Sequence, residues 1–502
     1  MIAPIQRSKT IAVDVPLPPS WVRRNPTKDD SEDTTSARLW RVGPRGVFLG
    51  QLVEAIERAS EVILVASFLL ADQRLCDALL AASERKVRVY VLTASENRLR
   101  EPNDGEDSFD ARMVAEHKRL LDSMAGKLLL RSASHFHAKF LLVDPHRPSA
   151  RGWLSTANFN KALTTSVELG LALDEAAIEQ VAEWFMWAFW TEAEHELEGP
   201  NRLAAVRKPP ASPSEPTRAS VFATTKRHQQ IRSKMLEIIA AARREIWVAS
   251  YGLAVDHEVV RALIERAKAG VKVTVLTRPR PAVAQAVQAL AAAGAHVLAH
   301  DKLHAKAIWS DAGSLVTTAN LERHGLDEGF ELAVRVSGSI EAALRQTLED
   351  WSRAFPWAFE PSALPRVGEI IAVDKGLRDV QKVKQTQEVV LKAVEVDDVR
   401  ELDRAPEPEL VPPQGQVLAA ELHYMWTVKA AQLPRGAKPV LETVESTVAG
   451  KKGEPKRVET KRAYDPPVYE LAGQRYVAIQ SLDQLGPAQA LARQFRARIV
   501  VV

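Results

Sequence analysis

One short phrase is written twice in this chain. The first copy is His137-Ala138-Lys139, four residues, then Asp144; the second is His304-Ala305-Lys306, four residues, then Asp311. A Thr-Ala-Asn trails each copy, Thr156 to Asn158 and Thr318 to Asn320. A glutamate then opens an apolar run, Glu168 in one case and Glu331 in the other. A single His-x-Lys-x4-Asp match is weak. Two matches with the same trailing residues require that one structural unit be built twice.

The flanking segments repeat in step. Glu61-Val-Ile-Leu-Val-Ala-Ser67 reads as a buried strand, and Glu245-Ile-Trp-Val-Ala-Ser250 takes the same place in the second copy. Helix-period segments precede them (Leu52 to Ala59, Ile231 to Ala242) and follow them (Asp77 to Glu84, His257 to Ala269). Second strands end at Thr93 and Thr277, and each copy closes on an amphipathic helix carrying tryptophan, Ile178 to Trp190 and Ile340 to Phe355. Strands alternating with helices predict two α/β halves with largely parallel, covered sheets. At helical spacing, Trp184, Phe185, Trp187 and Trp190 read as core rather than as a membrane-facing patch.

At 502 residues the chain exceeds one ordinary core. The expected divisions are an N-terminal extension at 1–38, halves at 39–200 and 220–360, a Pro- and Ser-rich linker at 201–219, a connector at 361–415 and a small α+β domain at 416–502. The extension reads as loop, apart from a short strand at Ile11 to Val15. In the last domain, Gln416 to Gln432 is helix or strand, followed by a strand at Tyr476 to Ile479, a helix at Pro487 to Phe495 and a strand at Arg498 to Val502. Cys76 is the only cysteine, so no intrachain disulfide or thiolate zinc cluster can form. No stretch reaches the roughly 18 apolar residues of a membrane span, and the first residues lack a signal peptide's apolar core. The expectation is a cytoplasmic protein without stable membrane insertion.

The residue types of the phrase suit chemistry at phosphorus. His137 and Lys139, two apart in extended chain, share a face, as do His304 and Lys306. Two lysines would hold a phosphate, with Thr156, Asn158, Thr318 and Asn320 as further donors. One neutral imidazole can attack phosphorus while the other, protonated, gives its proton to the leaving oxygen. Glu168 and Glu331 suit the task of fixing the histidine tautomers. Asp144 and Asp311, at the strand ends, can accept backbone amides or hold a turn. Neither metal nor cofactor is called for, because the lysines supply the positive charge. Of the ten histidines besides His137 and His304, His135 and His300 stay open by their closeness to the phrases, and the other eight, His117 and His324 among them, read as ordinary core or surface residues.

These paired phrases closely resemble the HKD motifs of the phospholipase D superfamily, most like its bacterial nuclease branch. The resemblance covers roughly residues 40 to 360. It implies two similar halves related by a pseudo-twofold axis, with one active site at their junction, so a dimer is not required to complete it. It also implies a phosphohistidine intermediate with His137 as nucleophile, Lys139, Lys306, Asn158 and Asn320 on the phosphate, Glu168 and Glu331 as orienting residues, and Asp144 and Asp311 as structural. The family commonly has Gly-Ser-x-Asn where this chain has Ser155-Thr-Ala-Asn158 and Thr317-Thr-Ala-Asn320. Residues 361–502 match no family pattern.

For the substrate, the first reading is nucleic acid: a metal-independent nuclease, in a defence or repair setting with an ATPase or helicase partner. Arg278 and Arg280, and the basic run holding Lys456 and Arg457, are its candidate contacts. The alternatives are a phospholipase or phosphatidyl transferase, and a non-catalytic scaffold that binds phosphate polymers. The two copies also differ beyond their second strands. An acidic stretch with Asp104, Glu106, Asp107 and Asp110 in the first stands where the second has Arg278 and Arg280.

Overall fold

The structure, a computed structural model, describes residues 2–12, 17–26, 34–95, 111–216, 220–362, 369–375, 381–382, 384–390, 394–396, 417–429, 432–449 and 455–502. The acidic stretch around Asp104 to Asp110 and the connector's Pro406, Pro408, Pro412 and Pro413 lie outside these residues. The chain divides into two compact units, residues 18–363 with 368–382, and residues 1–17 with 364–367 and 383–502.

The larger unit holds both copies of the repeat. In each, three strands run parallel: Val62–Ala66, Arg88–Ala94 and Leu129–Ala133 in the first, Glu245–Ala249, Lys272–Thr277 and His296–Ala299 in the second. All five residues of Val62–Ala66 are buried, as a strand covered on both faces requires. The strand following each phrase, Phe140–Val143 or Ala307–Ser310, lies antiparallel against the central one. Short turns then lead through Arg151–Ser155 to Glu168–Ala172, and through Gly313–Thr317 to Glu331–Val336. The sheets are therefore mixed: these connections are too short for the crossover that parallel pairing needs. Packing beside Glu168–Ala172 is tight, since a Cβ on Gly170 would lie 2.3 Å from the Phe48 ring.

The two halves share one core. Phe136 and Phe330 stack with centroids 5.3 Å apart, and Trp184, Phe185 and Trp187 of the helix Glu175–Trp187 are buried in the same cluster. Trp190 packs on its border, under the Arg131 guanidinium at 4.3 Å. The aromatic run is thus core, as its spacing predicts. Among the described residues, no helix is long and apolar enough to cross a membrane.

The N-terminal segment departs from the expected loop. Ser20–Arg23 is a strand between Trp357–Glu360 and Glu369–Ala372, with Trp21 fully buried against Phe359. Ile2–Ala12 is a strand of the smaller unit, paired antiparallel along its whole length with Val417–Lys429. Local patterning misses both because their partners lie at the opposite end of the chain. Arg202–Ala205, assigned to the linker, is an edge strand paired with His195–Gly199.

In the smaller unit, Val417–Lys429 is strand rather than helix, and carries Lys384–Val390 and Val394–Val396 in parallel. A second sheet runs Lys438–Ala449, Pro455–Leu471, Gln474–Ile479 and Arg498–Val501. The expected strand-helix-strand ending is present, with the helix Leu485–Phe495 joining the last two strands, which pair in parallel. Leu422, Val468, Val477, Ile479 and Val501 are buried in its core.

Candidate active site

The two phrases are locked together by backbone first. The N–H groups of His137 and Ala138 both donate to Phe330 O, at 3.1 and 3.0 Å, and Phe330 N donates to His135 O at 2.6 Å. The mirror set holds the other phrase: His304 and Ala305 donate to Val167 O at 3.1 and 3.0 Å, and Val167 N donates to Lys302 O at 2.9 Å. Phe330 and Val167 are the residues immediately before the two glutamates. The same contacts that join the halves therefore carry each glutamate to the other half's histidine.

Glu331 Oε1 lies 2.5 Å from His137 Nδ1, and Glu168 Oε1 lies 2.7 Å from His304 Nδ1. Both carboxylates are fully buried. Burial works to raise the pKa of Glu168. The charge and hydrogen bond of His304, with Lys306 and the Thr156 hydroxyl, outweigh it and hold the carboxyl below its ordinary value. With Nδ1–H directed at the carboxylate, Nε2 of either imidazole is the atom left to face a substrate, as a lone pair in the neutral ring or as an N–H in the protonated one.

Lys139 and Lys306 are also fully buried. Each ammonium donates to the carbonyl of its own motif histidine at 2.5 Å, and lies about one hydrogen-bond length from the ring: 2.9 Å from His137 Nε2, 3.2 Å from His304 Nε2. A buried cation beside each imidazole is the arrangement that an anionic group between them would complete. Asn158 and Asn320 are buried, and Asn158 Oδ1 has no hydrogen-bond partner among the described residues. That oxygen accepts, so a hydroxyl or water would complete it, while the amide Nδ2 is the group able to donate to a phosphate oxygen.

Thr156 and Thr318 are placed differently from the expectation. Thr156 Oγ1 donates to Glu168 Oε2 at 2.5 Å and accepts from Leu169 N at 2.8 Å. Thr318 Oγ1 donates to Glu331 Oε2 and accepts from Leu332 N at 3.0 Å. Each hydroxyl has one proton, spent on the glutamate, so neither can donate to a phosphate oxygen. Their position is behind the carboxylates, which they fix.

Asp144 and Asp311 clamp backbone. Asp144 accepts from the N–H groups of Ser60, Glu61 and Val62 and from the Ser60 hydroxyl, each at 2.8 Å. Asp311 accepts from Arg243, Arg244 and Glu245 N–H at 3.1–3.3 Å. Each thereby ties the end of the motif strand to the start of the central one. Burial works to raise the Asp144 pKa, but these donors outweigh it and the net value falls below the ordinary 3.8. Asp144→Asn, which exchanges an acceptor for an amide that faces those donors, is expected to lose about 2–3 kcal/mol in a urea melt at pH 7. A depressed folded-state pKa stabilises in full above 3.8 and loses that contribution as pH falls through the lower folded value. The gap between wild type and variant should accordingly narrow in acid.

Several neighbours were not singled out in the sequence. Ser67 and Ser250 accept from Phe159 N at 2.9 Å and Leu321 N at 3.2 Å, and so position the loops that carry Asn158 and Asn320. Phe68 packs on His137 (centroids 5.0 Å apart) and Tyr251 on His304 (4.8 Å). The signal was the shared Ala-Ser-aromatic at the ends of the two central strands. His324, read as ordinary, lies 6.1 Å from His137, ring to ring, and has no histidine counterpart in the first copy to announce it. Arg278 and Arg280 stand over Tyr251, at 5.6 and 3.9 Å from the ring. Lys456 and Arg457 belong to the smaller unit, on the exposed hairpin strand Pro455–Leu471, where Arg457 meets Glu445 at 3.8 Å.

The sequence matches the family model described as "Cardiolipin synthase, PLD-like domain" over residues 52–190 and 235–353, just over half of the chain. No protein of curated function matches it. Among solved structures, a phosphatidylserine synthase from Haemophilus influenzae Rd KW20 is 11% identical, with a TM-score of 0.46 over 68% of this chain and 89% of that one. A polyphosphate kinase from Porphyromonas gingivalis is 16% identical, with a TM-score of 0.41 over 60% of this chain and 44% of that one, so the match spans under half of the kinase. Nuc, a phospholipase D family member from Salmonella typhimurium, is 20% identical, with a TM-score of 0.24 over 30% of this chain and 91% of that one.

Proposed function

Since the chain belongs to the PLD-like family, we propose that it breaks phosphodiester bonds at the junction of its two halves, through a covalent phosphohistidine and with nucleic acid as substrate. The observation that supports this reading most is the crossed pairing of His137 with Glu331 and His304 with Glu168, a buried lysine beside each imidazole. In the first step, His137 Nε2 attacks phosphorus, the P–O bond to the leaving group breaks, and His304 gives that oxygen its proton. In the second, His304 takes a proton from water, the hydroxide attacks phosphorus, and the P–N bond breaks to free His137. The lysines offset the charge that builds on the phosphoryl oxygens. Asn158 supplies an amide to the same oxygens.

The nucleic-acid assignment draws on Arg278 and Arg280, which lie close to His304 through Tyr251. A second reading, phospholipid hydrolysis or phosphatidyl transfer, draws on the name of the matching family model. The chemistry at phosphorus is common to both. The test is incubation with single- and double-stranded DNA, with RNA and with phosphatidylglycerol vesicles, all in EDTA. Cleavage of nucleic acid that persists in EDTA is the expected result, with binding that weakens steeply as salt rises. Lipid turnover without nucleic-acid cleavage would replace the first reading by the second.

A further inference from the structure

The two halves agree closely at the histidines and diverge one residue beyond their second strands. After Thr93 come Ala94 and Ser95, both nearly fully buried; after Thr277 come Arg278, Pro279 and Arg280. The aromatic neighbour changes with them. On the His137 side, Phe68 joins Leu69 and Ala94 in an apolar patch against Met113. On the His304 side, Tyr251 carries the Arg280 guanidinium 3.9 Å above its ring, with Arg278 at 5.6 Å. The pseudo-twofold is thus broken where substrate flanks would lie: among the described residues, one flank is apolar and the other cationic.

The cationic flank is unsatisfied. Arg280 Nη1 is buried and has no hydrogen-bond partner, and neither Arg278 nor Arg280 has a carboxylate partner among the described residues. Arg131 and Arg232, also partly or fully buried, are paired, with Glu196 at 2.9 Å and Asp327 at 2.7 Å, whereas half-buried Arg266 reaches only the carbonyl of Ala242. A buried guanidinium N–H without an acceptor is costly, and an incoming anion removes that cost. The prolines on either side of Arg280 restrict its backbone, so the guanidinium is held over Tyr251 rather than left to sweep through solvent. Tyr251 in turn lies 4.8 Å from His304. Arg280 and His304 thus stand against the same ring, which places the guanidinium beside the site rather than on the scissile phosphate.

We propose that Arg278 and Arg280 form a subsite for a second phosphate, the one next to the scissile phosphodiester in a nucleic-acid strand, and that this phosphate lies on the His304 side. The Phe68–Met113 flank takes the uncharged nucleoside on the other side. The site thereby reads strand polarity as well as charge. This rests on the reading that the scissile phosphate sits between His137 and His304.

The test uses thymidylyl-(3′→5′)-thymidine with and without a 3′-phosphate on its second nucleoside, the leaving group when the P–O5′ bond breaks, and the ratio of their kcat/KM values. The full chain is expected to favour the 3′-phosphorylated ester by about 10- to 100-fold, the worth of one or two charge-assisted hydrogen bonds. Arg280→Gln and Arg278→Gln should bring that ratio toward one, chiefly through KM. A wild-type ratio near one, or a loss in Arg280→Gln that is equal for the two esters, would overturn the subsite; an equal loss means that the arginine only props Tyr251. Calorimetric binding of thymidine 3′,5′-bisphosphate against thymidine 5′-monophosphate needs no turnover. Tighter bisphosphate binding that Arg280→Gln abolishes, in a protein that hydrolyses neither ester, would sink the phosphodiesterase reading and leave the anion subsite standing. Arg280-dependent binding of phosphatidylcholine vesicles containing cardiolipin, with no response to either nucleotide, would give the pair to a lipid headgroup and overturn the nucleotide assignment.

Discussion

Replacing His137 by asparagine is expected to lower kcat on every phosphodiester the protein accepts by about 10⁴-fold, and the same change at His304 by a similar factor on substrates with poor leaving groups. Asparagine is the informative choice because the histidine does two jobs. Its Nδ1–H serves Glu331, 2.5 Å away and fully buried, while Nε2 serves the substrate. Alanine would remove both and leave a buried carboxylate without its partner, at a cost of about 3–5 kcal/mol in stability. The asparagine amide can still donate to Glu331, so the fold is kept while the nucleophile is lost. Thermal melts of wild type and variant should differ little beside the change in rate. The double variant should be scarcely slower than either single one, because the two rings act on one reaction path. Residual turnover within tenfold of wild type in His137→Asn would exclude covalent catalysis by this residue.

The second large effect concerns the crossed glutamates. Glu331→Gln keeps shape and removes charge. The new amide would donate to His137 Nδ1, which drives the ring proton to Nε2 and takes away the lone pair that attacks phosphorus. A loss of about 10²–10⁴-fold in kcat is expected, with KM little changed. Glu168→Gln disables the proton donor and acceptor His304 instead. With a p-nitrophenyl ester, whose leaving group departs unprotonated, Glu168→Gln should release one burst of p-nitrophenolate per chain and then stall at the phosphohistidine. Glu331→Gln should show no burst. The reverse pattern would make His304 the nucleophile. A stopped-flow trace at 400 nm, the p-nitrophenolate band, distinguishes the outcomes.

Much of this site could be read from the letters. The repeated phrase marked His137, Lys139, His304 and Lys306, and their spacing set each pair on one face of extended chain. The aspartates at the strand ends were legible as acceptors of backbone amides, because a carboxylate at such a position has few other nearby donors. Thr156 and Thr318 misled, because a hydroxyl beside a phosphate-binding motif is equally able to serve a phosphate or a buried carboxylate. Which it serves depends on where Glu168 and Glu331 turn, and those turn toward the opposite half. His324 was hidden for a similar reason: its neighbour His137 lies in the other copy, and nothing in its own segment repeats.

The N-terminal segment shows the same limit in the fold. Trp21 is fully buried in a sheet, and Ile2–Ala12 pairs with Val417–Lys429, yet neither stretch has a local partner that its pattern could announce. Side-chain spacing within a few residues was enough to show the repeat, most strands and helices of its two halves, and the residues that meet at the candidate site. Folding of the whole chain settled which glutamate meets which histidine, and that Thr156 and Thr318 serve those glutamates. Those follow from hydrogen bonds between residues far apart in the chain: Phe330 O with His137 N, and Val167 O with His304 N. Backbone groups are the same at every residue, so no pattern of side chains can announce which of them will meet.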